Sequence, residues 1–204
     1  MKLLVLAPLW IEALAVRSSL PGVKVRRTGM GRTQVDLGDA DAVAVAGLCG
    51  AVDPELTAGD VVLATELRSD DGKSIPCPGS ALLAEPLRRL GLRAKSGPLY
   101  SASRIVGPEE RESLRDRGIV AVDMESAWLG EAAGDRPLAV LRVVVDTAGH
   151  RLLSPRTVLA GVRGLWTLRR AAPAFVDWVE ACVTTPAADA DTLASMRVPR
   201  LAQQ

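Results

Sequence analysis

At 204 residues and 48% hydrophobic, the chain is long enough for one domain with a substantial core. A formal net charge of +1 sets up no global field for nucleic acid, so RNA and DNA are not expected partners. Cys49, Cys77 and Cys182 are too few and too scattered for a disulfide framework or a zinc site. No metal is therefore expected, no cofactor is expected either, and the cysteine usage suits a reducing cytoplasm.

In chain order, residues 3–7 form a short apolar run that ends at Pro8 and is soon followed by Glu12. It is too short for a signal-peptide core or a membrane span, so a soluble protein without integral membrane association is expected. A helix over 9–19 places Glu12 in its opening turns. Strands at 23–27 and 42–46 flank Gly29-Met30-Gly31-Arg32-Thr33. Backbone N–H groups in such a glycine turn can hold an anion, with Gly31 and Arg32 the expected contacts; a merely tight turn is the alternative. A strand at 61–66 leads to a polar, Pro-containing loop over 70–78, and a helix over 80–90 precedes a strand at 94–100. Tyr100-Ser101-Ala102-Ser103-Arg104 then leads through Ile105 and Val106 to a helix over 108–117.

Gly118-Ile119-Val120-Ala121-Val122 is short, β-branched and uncharged, as expected of a strand buried on both faces. It runs into Asp123-Met124-Glu125-Ser126 and a helix over 124–133 ending at Gly134, which puts Glu125 in that helix's first turn. Open α/β sheets place ligands at such strand ends. An ionised carboxylate there can accept from two neighbouring ribose hydroxyls. Asp123 and Glu125 acting only on the helix dipole is the competing reading. Residues 138–145 make another buried strand and deliver Asp146 where a loop begins; an Asp that caps its own turn is the alternative.

The last helix, over 156–170, carries Val158, Leu159, Val162, Leu165 and Trp166 on one face and Arg156, Arg163 and Arg170 on another. It reads as packed on its own sheet with a solvated basic face, and an anionic membrane is the other surface that would suit it. Trp128, Trp166 and Trp178 read as core or interface residues, and His150 as a loop residue. The tail, residues 184–204, has little periodicity and is expected to be mobile or to reach a partner subunit. The alternation of strands and helices predicts a three-layer α/β/α architecture around a mostly parallel, mixed central sheet, with the domain spanning residues 1–183.

Four segments in order resemble the nucleoside phosphorylase and nucleosidase superfamily: residues 1–7 leading to Glu12; residues 46–54 followed by Gly59-Asp60-Val61-Val62; Val122-Asp123-Met124-Glu125-Ser126; and residues 142–148. In pattern they are most similar to methylthioadenosine/S-adenosylhomocysteine nucleosidases and hopanoid-associated phosphorylase-like proteins. The resemblance implies a purine nucleoside substrate. By it, Glu12 activates the attacking water, Asp146 protonates the purine at N7, Glu125 binds the ribose hydroxyls and Met124 packs on the sugar. Ile105 and Val106 hold the base, while Cys49 and Gly50 line the substrate site. Val45 and Leu48 stand where hexameric purine phosphorylases carry an Arg and a Ser, which weakens phosphorolysis. Breaking a glycosidic C–N bond passes through a cation-like sugar, so an acid on the base and an oriented nucleophile on the opposite face are the groups required.

The expected function is hydrolysis of an adenine nucleoside with an apolar 5′ substituent, adenosylhopane-like in the hopanoid-associated case, by a cytoplasmic homodimer. Phosphorolysis and a non-catalytic nucleoside binder are the alternatives.

Overall fold

Ala42 to Ala46 have no solvent-exposed surface, and this small, uncharged run lies at the middle of the sheet. The computed structural model describes residues 1–146 and 155–184. The tail beyond Thr184, the turn Thr147-Ala148-Gly149 and His150 lie outside the described residues. Eight strands are present among them: β1 (Leu3–Ala7), β2 (Lys24–Arg27), β3 (Ala42–Ala51), β4 (Val61–Ser69), β5 (Ser74–Pro76), β6 (Ala94–Ser101), β7 (Ala121–Asp123) and β8 (Leu138–Asp146). The helices are α1 (Trp10–Arg17), α2 (Ala84–Arg89, entered through a 3-10 turn at Pro78–Leu83), α3 (Pro108–Asp116), α4 (Ser126–Ala133), α5 (Pro155–Ala171) and α6 (Ala174–Thr184).

The sheet is mixed and mostly parallel. β1 pairs in parallel with β2 and β3, β3 with β8, and β6 with β4 and β7; β3–β7, β4–β5 and β4–β8 are antiparallel. Because β8 pairs with both β3 and β4 while β7 joins β3 to β6, the sheet curls back on itself. The carboxyl ends of β3, β7 and β8 thereby converge. A register shift between Cys49 and Gly50 lets β3 leave β8 and meet β7, with Gly50 opposite both Asp146 and Val122. Bulges of this kind re-aim side chains beside sites.

One core cluster joins Val5, Ala44, Leu63, Leu141, Leu168, Phe175 and Trp178; a second joins Leu6, Val43, Val62, Leu67, Leu99, Leu129 and Val140. Burying side chains of this size stabilises by about 1.5–3 kcal/mol each. No helix among the described residues is long and apolar enough to cross a membrane.

β3 runs on to Ala51, beyond the expected 42–46, and α4 begins at Ser126, later than the expected 124; four further elements differ from expectation. The 70–78 loop contains β5, an edge strand on β4, where Pro76 needs no ladder donor. The helix expected over 80–90 is split into a 3-10 turn and α2. Helix α6 was not expected, and it supplies the buried Phe175 and Trp178. The fourth is α5, which turns the opposite face inward. Gly164, Thr167, Leu168 and Ala171 are buried, whereas Leu159, Val162 and Trp166 are 71%, 61% and 58% exposed. A Cβ at Gly164 would run into Val145 and come within 3.2 Å of Leu48, so the close approach to the sheet demands small residues.

Candidate active site

A cavity of about 330 Å³ opens at the carboxyl ends of β1, β3, β7 and β8. Its lining includes Glu12, Leu48, Cys49, Gly50, Ile105, Val106, Arg111, Asp123, Met124, Glu125 and Asp146. A larger hollow of about 520 Å³ lies at the other end of β1, beside α6. Among its ionic groups, Lys2 and Asp39 are 69% and 75% exposed, whereas the three carboxylates expected to act are buried. Parallel strands place their ligand sites at carboxyl ends, as the smaller cavity is placed.

Asp123 and Glu125 are placed differently. The Asp123 carboxylate accepts from the backbone N–H groups of Glu125 and Ser126 at 3.2–3.3 Å, so Asp123 caps α4. It also accepts from Ser101 Oγ at 2.5 Å, and that hydroxyl in turn accepts from the Ala127 N–H at 2.9 Å. Glu125 is not in the first turn of α4 but at the cap position before it, with φ −141°. Its side chain is thus left to line the cavity, taking a backbone donor from Gly31 at 3.3 Å. Burial pushes Glu125 above the usual carboxylate range, against the pull of Arg142.

Glu12 is 2% exposed. One oxygen accepts from the Leu9 N–H at 2.7 Å, fastening the start of α1, and the other accepts from the Leu48 N–H at 2.8 Å, tying α1 to β3. Burial pushes its carboxyl up, offset by Arg142 and by these two donors. A carboxylate so placed is a stronger base than an exposed one.

Arg142 lies beneath all three groups. It donates from Nε to Ser126 Oγ at 3.0 Å, and its Nη2 is 2.7 Å from Asp123 and 3.9 Å from Glu125. Burial opposes its charge, but Asp123, Glu125 and Glu12 outweigh that and hold the guanidinium protonated. The Asp123 contact is ionic rather than aligned as a hydrogen bond, and Nη1 is buried without a partner among the described residues. Nη1 and Glu12 Oε1 both crowd the position a Cβ would take at Gly47, which is why glycine fits there.

Asp146 ends β8 and meets Arg111 of α3, whose Nη2 donates to Asp146 Oδ2 at 2.5 Å. Gly50 makes room for that guanidinium. Ile105 and Val106 line the same cavity, Ile105 61% exposed and Val106 buried. Cys49 is buried, and burial pushes its thiol up, so it offers a neutral surface and not a nucleophile.

The structure thus gathers Glu12, Cys49, Gly50, Ile105, Val106, Met124, Glu125 and Asp146 around one cavity. The anion site expected at Gly31 and Arg32 is not assembled. Gly29 and Gly31 take φ of +89° and +74°, and the Gly31 N–H is given to Glu125. Arg32 turns away to Asp70 and Asp71 at 3.3 and 3.1 Å and stacks 4.9 Å from the Trp128 ring centre. The tight-turn reading describes it better.

Sequence reasoning missed Arg142, Arg111 and Ser101. For Arg142 a signal was present, because a lone arginine in the aliphatic run of β8 must be paired once buried. Arg111 sits in PEERESLRD, where nothing sets it apart from its charged neighbours.

The chain is 32% identical over 114 residues to a DeoD-type purine nucleoside phosphorylase of Limosilactobacillus reuteri. That alignment covers 48% of this chain and 48% of the phosphorylase, so the chain matches about half the length of that relative. Among solved structures, a Campylobacter jejuni 5′-methylthioadenosine/S-adenosylhomocysteine nucleosidase superposes with a TM-score of 0.74 at 17% identity, covering 89% of this chain and 99% of that one. A Helicobacter pylori futalosine hydrolase mutant gives 0.74 at 17% identity over 87% and 99%. The nucleosidase of Neisseria meningitidis, in complex with methylthio-immucillin-A, gives 0.73 at 19% identity over 89% and 100%. At such identities the likeness is one of fold. The sequence model of the Phosphorylase superfamily matches residues 25–183, and the chain belongs to that superfamily.

Proposed function

We propose that the protein is a nucleosidase, hydrolysing the N-glycosidic bond of an adenine nucleoside with an apolar 5′ substituent. The observation that carries this reading is that Glu12, Glu125 and Asp146, far apart in sequence, line one cavity. Glu125 takes the ribose hydroxyls. As the C1′–N9 bond breaks, its electron pair goes to the base and Asp146 gives a proton to N7. Water bonds to C1′ and gives its proton to Glu12, leaving adenine and a free sugar; solvent restores both carboxyl groups.

Apolar side chains at the mouth, Met30 at 70% and Ile105 at 61% exposure, support a hydrophobic 5′ group that extends outward, such as the polycyclic lipid of an adenosylhopane-like nucleoside. Phosphorolysis is the second reading, favoured by the identity with a phosphorylase. Against it, the arginines at the cavity are engaged among the described residues: Arg111 with Asp146, Arg104 with Glu110, and Arg32 outside it. Incubating the protein with 5′-substituted adenosines, with and without phosphate, tests the reading. Adenine and unphosphorylated sugar at a phosphate-independent rate are expected; a strict phosphate requirement overturns hydrolysis.

The assembly proposed is a homodimer in the cytoplasm, built on the exposed face of α1 and α5. Trp10 and Trp166 are 63% and 58% exposed, with Leu14, Leu159 and Val162 beside them in the same two helices. Tryptophans contribute about 150–250 Å² each when buried. The patch therefore amounts to several hundred Å², a large part of the roughly 800 Å² per subunit in a standard interface. Both tryptophans line one groove with Leu14 and Leu165, an apolar face that a two-fold contact would cover on both subunits.

A further inference from the structure

We propose that Arg111 is a positioning residue that couples occupancy of the base end of the cavity to the availability of Asp146; this rests on the reading of Asp146 as the acid. Three of its donors reach three different segments. Nη2 donates to Asp146 Oδ2 at 2.5 Å, Nη1 to the Ala51 carbonyl at 3.1 Å, and Nε to the Val106 carbonyl at 3.3 Å. Asp146 and Arg111 are each 9% exposed in their side chains, and Val106, Arg111 and Asp146 all line the cavity. A planar guanidinium holds such bonds in one rigid fork, so a displacement at one prong is felt at the others.

An oxygen that accepts from Arg111 has no proton to give the base. Oδ2 must therefore be released, or the acid must turn, before N7 can be protonated. The bond to Val106 is the longest of the three, and Val106 forms the wall against which a base would rest. A base seated there pushes on the Val106 carbonyl and so on Arg111, drawing the fork off Asp146. In the empty cavity Asp146 stays engaged as a carboxylate; in the filled one, freed from Arg111, it takes up a proton from solvent and presents it to N7 of the base. Two close, buried charges of opposite sign keep the resting arrangement stable, since either alone would be costly to bury.

The test compares two leaving groups in Arg111→Met, Arg111→Lys and Asp146→Asn. An adenine nucleoside needs protonation on departure, whereas a 4-nitrophenyl riboside does not. Arg111→Met is expected to lower kcat on the adenine nucleoside at least about tenfold, with KM changed less than about threefold. On the nitrophenyl riboside the loss should be under about threefold. Arg111→Lys, which keeps a charge but not the fork, should fall between, and it carries the test if the Met variant does not fold. Independently of the second substrate, Arg111→Met in the Asp146→Asn background should cost less than about twofold. Equal losses on both substrates, or the full loss repeated in the Asp146→Asn background, would reduce Arg111 to a pin for α3. Near wild-type adenine release by Asp146→Asn would instead remove the acid itself, and the functional reading with it.

Discussion

Arg142 Nη2 lies 2.7 Å from Asp123 Oδ2, each side chain only 1% exposed, and joins the end of β7 to β8 beneath the cavity. The same guanidinium is 3.9 Å from Glu125, so the residue that caps α4 and the carboxylate that lines the cavity share one cation. Removing it strands buried negative charge. Arg142→Met should lower unfolding free energy by about 3–5 kcal/mol in urea titrations, as breaking buried pairs does. A loss below about 1 kcal/mol would mean that the carboxylates do not depend on it.

Gly47→Ala probes the same place without deleting a charge. The new methyl would collide with Arg142 Nη1 and sit 3.0 Å from Glu12 Oε1. Overpacking of this kind typically costs about 1–3 kcal/mol. Turnover should fall with stability, and wild-type values for both would show that Arg142 can move aside freely.

Burial raises the Glu12 carboxyl above its ordinary value of 4.5. As a base it acts ionised, so kcat/KM should rise with pH along an acid limb lying above that value. For stability the sign is opposite: the native state favours protonated Glu12, a contribution present at low pH and lost as pH rises through the raised value. Glu12→Gln should reduce turnover by about 10²–10⁴, the range for a positioned base. A wild-type profile that stays flat down to pH 4.5 would exclude Glu12 as that base.

Glu125 stands at the α4 cap position with its carboxylate on the cavity, so Glu125→Gln should discriminate between sugars. Hydrogen bonds to a charged group contribute about 1.5–3 kcal/mol. Affinity for ribosides should fall about 10- to 100-fold, with a smaller change for 2′-deoxyribosides. Matched losses would assign Glu125 to fastening the glycine turn through Gly31.

Light scattering on the purified chain is expected to give twice the chain mass. Trp10→Glu and Trp166→Glu should each yield a monomer without loss of the folded circular dichroism spectrum. A wild-type protein that stays monomeric at tens of micromolar would assign the α1 and α5 face elsewhere, with vesicle binding the next measurement.

Most strands were legible because a strand buried on both faces reads as a largely aliphatic run, and β1, β3, β7 and β8 are such runs apart from Arg142 and the terminal aspartates. Asp123, Glu125 and Asp146 were legible because each follows one of those runs; Glu12, Met124, Ile105 and Val106 were reached through motif resemblance. Periodicity could not tell which face of α5 packs inward, because the sheet accepted the small residues and left the large ones outside. Nor could it show that Asp123 caps α4 while Glu125 faces the cavity, a division set by one backbone angle and by Arg142. The partnership of Arg111 with Asp146 spans 35 residues and needs the curl of the sheet at Gly50. Local sequence governs burial and turn chemistry over a few residues, whereas ion pairing between distant side chains is governed by distances that exist only after the strands have paired.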